Sequence, residues 1–342
     1  MKKVRPLFSL LFRVLAAVCL FCFPPRGLGA AVTAEELLNR IHKNRLDASA
    51  IYKVRELALS KEDARFYFTE GILALLEPIR VDGEGDNKPG RITGALFVGE
   101  GEMLLVPPDA MEKRNLARFT GAPVLDEKFS SAYMSFTDDT AARLMEGLRT
   151  QAGGSDQPAG NPCRDCAEFM QQWGPAVQNL TLLNDLRILG DLLSRPAGPA
   201  GSPNLSFFSA HLFGQRLGAF DLTVDFRARE QVMVGQFNWK EGRRYMDLWC
   251  SFPARSARSS GIQRERSSLA GGGLVAVDEV SAASYRIEAV IHPDRQLEVT
   301  AELDLAARVS GDRLLTFELS RFLKVTGVES AGRPLTYYQN ET

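Results

Sequence analysis

"AFDLTVDFRAREQVMVGQFNW", residues 219–239, is the stretch that decides the fold class. Phe220, Leu222, Val224 and Phe226 alternate with polar neighbours. Val232 and Val234 then alternate against Met233, Phe237 and Trp239. A period of two belongs to strands, because successive side chains leave a strand on opposite sides. Downstream, Tyr245 to Phe252 reads as a further strand. Tyr285, Ile287, Ala289 and Ile291 then run into a turn at His292-Pro293-Asp294, and Leu297, Val299, Ala301, Leu303 and Leu305 return from it. Leu315-Phe317-Leu319 makes a third pass, and Ala331-Gly332-Arg333-Pro334 a last turn. Such a meander is expected to bury one face and wet the other.

Upstream the pattern mixes. Thr33 with Glu36 three residues on forms a capping box. Leu37, Leu38, Ile41, Ile51, Val54 and Leu57 follow at roughly helical spacing, so 33–60 reads as one or two helices. "RFYFTEGILALLEPI" (65–79) and "RITGALFVGEGEMLLVPP" (91–108) read as hairpins turning at Thr69-Glu70-Gly71 and Gly99-Glu100-Gly101, where glycine supplies turn conformations. Asp109 with Glu112 caps a short helix through Phe119, 130–136 is a strand, and 137–150 a helix with acids in its first turn. A helical stretch over 163–194 is expected to break at Gly174-Pro175, since proline cannot donate to the helix ladder. The whole is α+β: antiparallel hairpins and meanders with several helices, ending in an incomplete β-sandwich.

The first 30 residues have the outline of a secretory signal peptide. Lys2, Lys3 and Arg5 precede an apolar run interrupted only by Arg13, and Gly29-Ala30-Ala31 offers a cleavage site. The leader carries five positive charges and no acid, so its removal would take the formal charge from −1 to −6. The expectation is an exported protein, periplasmic or extracellular, with no membrane-spanning segment after cleavage. A mildly acidic exported chain is a poor binder of nucleic acid. The expected organisation is signal peptide 1–30, helix and hairpin region 31–150, helical insert with antiparallel strands 151–253, flexible loop 254–280 and partial sandwich 281–342.

Chemistry is sparse. Cys163 and Cys166 form a C-x-x-C, but a Pro/Gly linker precedes it instead of a strand, so a local disulfide or unpaired thiols outweigh a redox centre. Cys250 is the third cysteine beyond the leader. A zinc site would need a second ligand pair. None of His42, His211 and His292 has a second histidine four residues away with an adjacent glutamate, and neither a G-x-S-x-G elbow nor a P-loop occurs. Glu100 and Glu102 read as a solvated tip, Asp138 and Asp139 as helix-opening acids, Asp221 and Asp225 as exposed strand charge, and His211 as a packed residue. The sequence nominates no catalytic, metal-binding or cofactor-binding residue.

"RFYFTEGILALLEPI", "GALFVGEGEMLLVPP", "EKRNLARFTG", "FSSAYMSFTDD" and "YMDLWCSF" together resemble the upstream region of exported bacterial proteins related to the M1 (gluzincin) aminopeptidases. The stretch from Tyr285 onward resembles the opening strands of the β-sandwich preceding the zinc domain in that family. The two matches span about 34–253 and 285–340. The family's H-E-x-x-H and further glutamate have no counterpart here, so no ligand or catalytic base carries over. The resemblance implies a non-catalytic N-terminal portion, truncated or split, with no peptidase activity of its own. Its implied partner is a downstream or separate zinc peptidase domain. The alternative is a free-standing envelope binding or scaffold protein.

Overall fold

Thr33 opens the first helix as its capping box requires. Its Oγ1 accepts from the Glu36 amide at 3.2 Å and the Glu36 carboxylate accepts from the Thr33 amide at 3.0 Å. This helix, α1 (Ala34–His42), is the first element among the described residues of the computed structural model. The structure describes residues 32–81, 90–151, 164–193, 206–240, 243–259, 280–292, 296–307, 315, 317, 319–320 and 323–339. The expected leader, Cys163, the side chain of Cys166 and residues 260–279 of the expected loop lie outside these.

The rest of the stretch expected to be helical is strand β1 (Leu46–Lys61). Its inward residues Val54, Leu57 and Leu59 lie three and two apart because Glu56 adopts a left-handed φ of 56° and shifts the phase of the alternation. That irregularity imitated a helical period. The two expected hairpins are likewise single strands, β2 (Ala64–Leu76) and β3 (Gly94–Leu105), and they pair with each other so that Gly71 faces Gly99. The glycines allow close approach instead of turns. A Cβ on Gly99, whose φ is 152°, would sit 2.1 Å from the Glu70 carbonyl oxygen.

Helix α2 (Ala110–Thr120) has Asp109 as its N-cap and ends at Gly121 in the left-handed region. Strand β4 (Leu125–Phe136) leads to helices α3 (Thr140–Gln151), α4 (Arg164–Thr181) and α5 (Asp185–Leu193). Contrary to expectation, α4 runs through Pro175 and yields at 182–184 instead. The carbonyl that Pro175 cannot serve belongs to Gln171, which is exposed and open to water. Strands β5 (Phe207–Gly214), β6 (Gly218–Asp225), β7 (Val232–Lys240) and β8 (Arg243–Phe252) follow, then the short helix α6 (Arg255–Ser259).

All eight strands form one antiparallel sheet in chain order, with β5 pairing to β4 across the helical insert. The fold is α+β. Register shifts between Phe68 and Glu70, Val98 and Gly101, and Phe129 and Ser131 line up across β2, β3 and β4. Aligned bulges bend and twist a sheet. The effect shows in the inner face. Phe66 on β2 meets Phe208 on β5 at 5.8 Å between ring centroids, although strands three places apart in a flat sheet would stand about 14 Å apart. Phe68, Phe97, Phe129, Phe220 and Phe252 fill the same interior and are fully buried.

Both edges of the curled sheet carry a helix. Leu57 of β1 packs against Gly147 of α3, and the Glu112 carboxylate of α2 accepts the Ser251 amide of β8 at 2.9 Å. Covering an edge this way blocks further strand addition. Asp63, in the β1–β2 turn, binds Arg258 of α6 at 2.7 Å, which ties the end of β8 back to the start of the sheet. On the outer face, Leu46, Ile51, Leu76, Leu96 and Tyr133 pack beneath Phe169 and Val177 of α4.

Strands β9 (Val280–His292) and β10 (Gln296–Ala307) form a separate two-stranded ribbon. In the tail, β11 (Glu329–Ser330) and β12 (Arg333–Pro334) make a small hairpin, and Gln339 binds back to Leu323 and Val325.

Candidate functional site

The residues singled out in the sequence scatter. Asp138 accepts from the Thr140 amide and from Lys61 Nζ at 2.7 Å, so it caps α3 and fixes the end of β1. Asp139 pairs with Arg143 one turn along α3. Glu100 is exposed at the β3 bulge, and His292 lies on the exposed ribbon 3.8 Å from Glu298. His42 meets Asp185 at 2.6 Å and joins α1 to α5. Cys250 is a buried free thiol. Burial and the nearby Glu112 and Asp109 carboxylates push it up to about 12, so it is a poor nucleophile near neutral pH.

Asp225 and Asp221 are not the exposed strand charges expected. Asp225 accepts two bonds of 2.8 Å from the Arg187 guanidinium, whose other arm holds Asp191. Burial works against the Arg187 charge, and Asp225 and Asp191 more than offset it, raising its pKa further. Arg227 also reaches Asp191, at 2.9 Å. With two cations facing two carboxylates, this network is balanced and fastens α5 to the β6 end of the sheet. Asp221 is only 3% exposed and its Oδ1 lies 2.8 Å from His211 Nδ1. Strand alternation alone could not reveal this, because the cover over that face comes from the helices between β4 and β5.

Among the described residues, no three His, Cys, Asp or Glu side chains converge as a metal set, and no helix is long and apolar enough to cross a membrane. One open cleft of about 360 Å³ lies between α2 and β8, lined by Asn115, Arg118, Phe119, Leu248 and Trp249 among others. Phe119 stacks on Trp249 with centroids 6.3 Å apart, and both Glu112 oxygens are occupied, by Asn115 and Ser251. Ser251 and Cys250 also line the cleft: the Ser251 hydroxyl donates to the Glu230 carboxylate, and the raised Cys250 thiol stays protonated near neutral pH.

Among the described residues, the ribbon exposes a row of large apolar side chains. Its register puts Tyr285 opposite Leu303, Ile287 opposite Ala301, Ala289 opposite Val299 and Ile291 opposite Leu297, all on one face. The other face carries Ser284 with Asp304, Arg286 with Glu302 and Glu288 with Thr300. The expectation that one face would be buried is not met. Ile287 is 65% exposed and Ile291 77%. Leu315, Phe317 and Leu319 are exposed as well.

Comparison with known proteins returns no matching family model, no matching curated protein and no matching solved structure.

Proposed function

We propose that this chain is a non-catalytic module of an exported M1-like metallopeptidase, and that the apolar face of β9–β10 is its attachment surface for a further β domain. The observation carrying this reading is the ribbon itself. Eight side chains of one face, none charged, stand together with all but the half-buried Leu303 exposed among the described residues, while the opposite face, Val290 apart, is polar and pairs Arg286 with Glu288 and Glu302. Isolated two-stranded hairpins are at best marginal in water. A contiguous apolar patch rimmed by polar groups marks an interaction site.

The size of the face argues about the occupant. Twelve residues at about 3.3 Å each give a length of roughly 40 Å, and two strands give a width of roughly 10 Å. Two copies stacked face to face would bury on the order of 800 Å², below the roughly 1,200–2,000 Å² of stable complexes. A broader sheet, tethered or already held alongside, suits the face better than a second ribbon. Zinc chemistry belongs to that other domain in this reading.

The test uses the full chain. It is expected to carry no stoichiometric zinc and to release no amino acid from aminopeptidase substrates. It is also expected to bind a hydrophobic dye, with binding reduced by Ile287→Lys plus Ile291→Lys and the body still folded. Zinc-dependent turnover would overturn the non-catalytic reading, and dye binding unchanged by the double substitution would overturn the attachment surface. The alternative, a free-standing envelope scaffold, draws support from the guarded edges of the eight-stranded sheet. It expects the chain to remain monodisperse at high concentration with no dye bound.

A further inference from the structure

The outer face of β4, β5 and β6 carries a grid of polar side chains that the proposed function does not use. Register places Tyr133, His211 and Asp221 in one row across the three strands, and Ser135, Ser209 and Thr223 in the next. Tyr133, Ser135, Ser209 and Asp221 are each at least 95% buried. Part of the grid is satisfied internally. His211 Nδ1 meets Asp221 Oδ1 at 2.8 Å, and the Ser209 and Thr223 hydroxyls lie 3.4 Å apart.

Three buried atoms are not satisfied. Tyr133 Oη, Ser135 Oγ and Asp221 Oδ2 have no hydrogen-bond partner. Tyr133 and Ser135 are two apart on one strand and face the same way. Burial pushes the Tyr133 phenol up, and the Ser135 hydroxyl works against that shift as a nearby hydrogen-bonding group, although the pair falls short of full hydrogen-bond geometry. Native interiors rarely leave such groups dry, because an unpaired buried donor or acceptor forfeits its hydration without replacement.

The chemistry of the three atoms defines what they accept. The Asp221 oxygen needs a donor, and the two hydroxyls each give and take one bond. An apolar guest satisfies none of them, and an anion is repelled by Asp221. A transition metal lacks ligands, since beside His211 Nε2 and the Asp221 carboxylate no third His, Cys, Asp or Glu converges among the described residues. Phe169 and Val177 pack over Tyr133, so the guest is small. Water meets every condition, and buried waters of this kind bridge polar groups that would otherwise go unpaired.

We infer that this grid is an internal hydration site, with one ordered water bridging Tyr133 Oη to Ser135 Oγ and a second donating to Asp221 Oδ2. The bridging water is then part of the seam between α4 and the sheet. The test is the sign of a stability change in the full chain. Removing a hydroxyl that anchors a water, by Tyr133→Phe or Ser135→Ala, is expected to lower Tm by about 2–4 °C. Removing a dry, unpaired hydroxyl would leave Tm unchanged or raise it, and that result for either variant overturns the inference. A high-resolution crystal structure gives the second measurement. Ordered density within hydrogen-bond distance of both Tyr133 Oη and Ser135 Oγ supports the site, and its absence overturns it.

Discussion

The eight-stranded body and the β9–β10 ribbon are built from the same material, antiparallel strands with one apolar face, and they end in opposite states. In the body, aligned bulges curl the sheet until β2 reaches β5, and a cluster of phenylalanines closes the interior. Helices α2 and α3 take the two edges, and α4 takes much of the outer face. The ribbon has one irregularity, between Asp304 and Leu305, and two strands cannot wrap around anything. Alternation therefore tells a strand which face is apolar but not what will cover it. The cover is supplied by curvature, by edge helices or by another domain.

Paired substitutions break or sharpen that contrast most directly. Phe68 touches Phe66, Phe97 and Phe129 at 6.3, 4.7 and 5.9 Å between centroids. Phe68→Ala is expected to cost about 3–5 kcal/mol through lost burial and a residual cavity. Ile287→Ala on the ribbon is expected to change stability by no more than about 0.5 kcal/mol, as at other exposed positions. Urea unfolding of both variants measures the difference. Equal losses would mean that the ribbon is covered in the free chain, and the attachment proposal would fall with it.

A smaller effect tests how the body holds its own turns. Glu127 is 2% exposed and its Oε1 accepts from the Arg216 and Leu217 amides at 2.6 and 2.9 Å, while Arg216 reaches its other oxygen at 3.2 Å. The β5–β6 turn depends on this one carboxylate. Glu127→Ala leaves two amides without their acceptor and is expected to cost about 1.5–3 kcal/mol, read from the same urea curves. A loss below half a kilocalorie would show that water replaces the carboxylate freely.

How much of this was legible in advance depends on how local the cause was. The capping box at Thr33, the cap at Asp109, the clean alternation of 220–226 and the turn at 331–334 all act within a few residues, and the sequence states them. β1 was hidden because Glu56 takes a left-handed φ that no helical-period count can anticipate. The glycines at 71, 99 and 101 announce a special backbone but not its kind. Here Gly71 and Gly99 face each other across β2 and β3 while Gly101 faces Phe68, a fact of register and not of local sequence. The buried Asp221 and the partly buried Asp225 became partners of His211 and Arg187 through pairings across strands and from a distant helix. The polar grid was invisible for the same reason, since its rows assemble only when β4 and β5, separated by three helices in the chain, come together.

The pH response separates the two regions further, because the shifted thiol lies in the body. Cys250 is raised from 9.0 to about 12, first by burial and then by Glu112 and Asp109. Below pH 9 the thiol is neutral in both folded and unfolded chains, and pH has no leverage through it. Between about 9 and 12 the unfolded chain releases the proton and the folded one keeps it, so the folded state loses ground as pH rises. Cys250→Ala is expected to flatten that limb of the stability profile without altering the neutral plateau beyond its packing cost. An unchanged slope would show that the thiol is not protected.

The smallest expected effect lies in the tail. Ala331 and Gly332 hold φ of 52° and 72°, the left-handed pair of a type I′ turn, and Ala331 takes that conformation without glycine's freedom. Ala331→Gly removes a steric penalty on the order of 1 kcal/mol. The hairpin of β11 and β12 is exposed throughout, so the gain is expected to stay local. Amide exchange within 328–335 should slow while the global urea midpoint stays fixed. A shift in that midpoint would mean that the tail and the body unfold together, which would remove the tail from the independent, uncovered half of the contrast and leave the ribbon there alone.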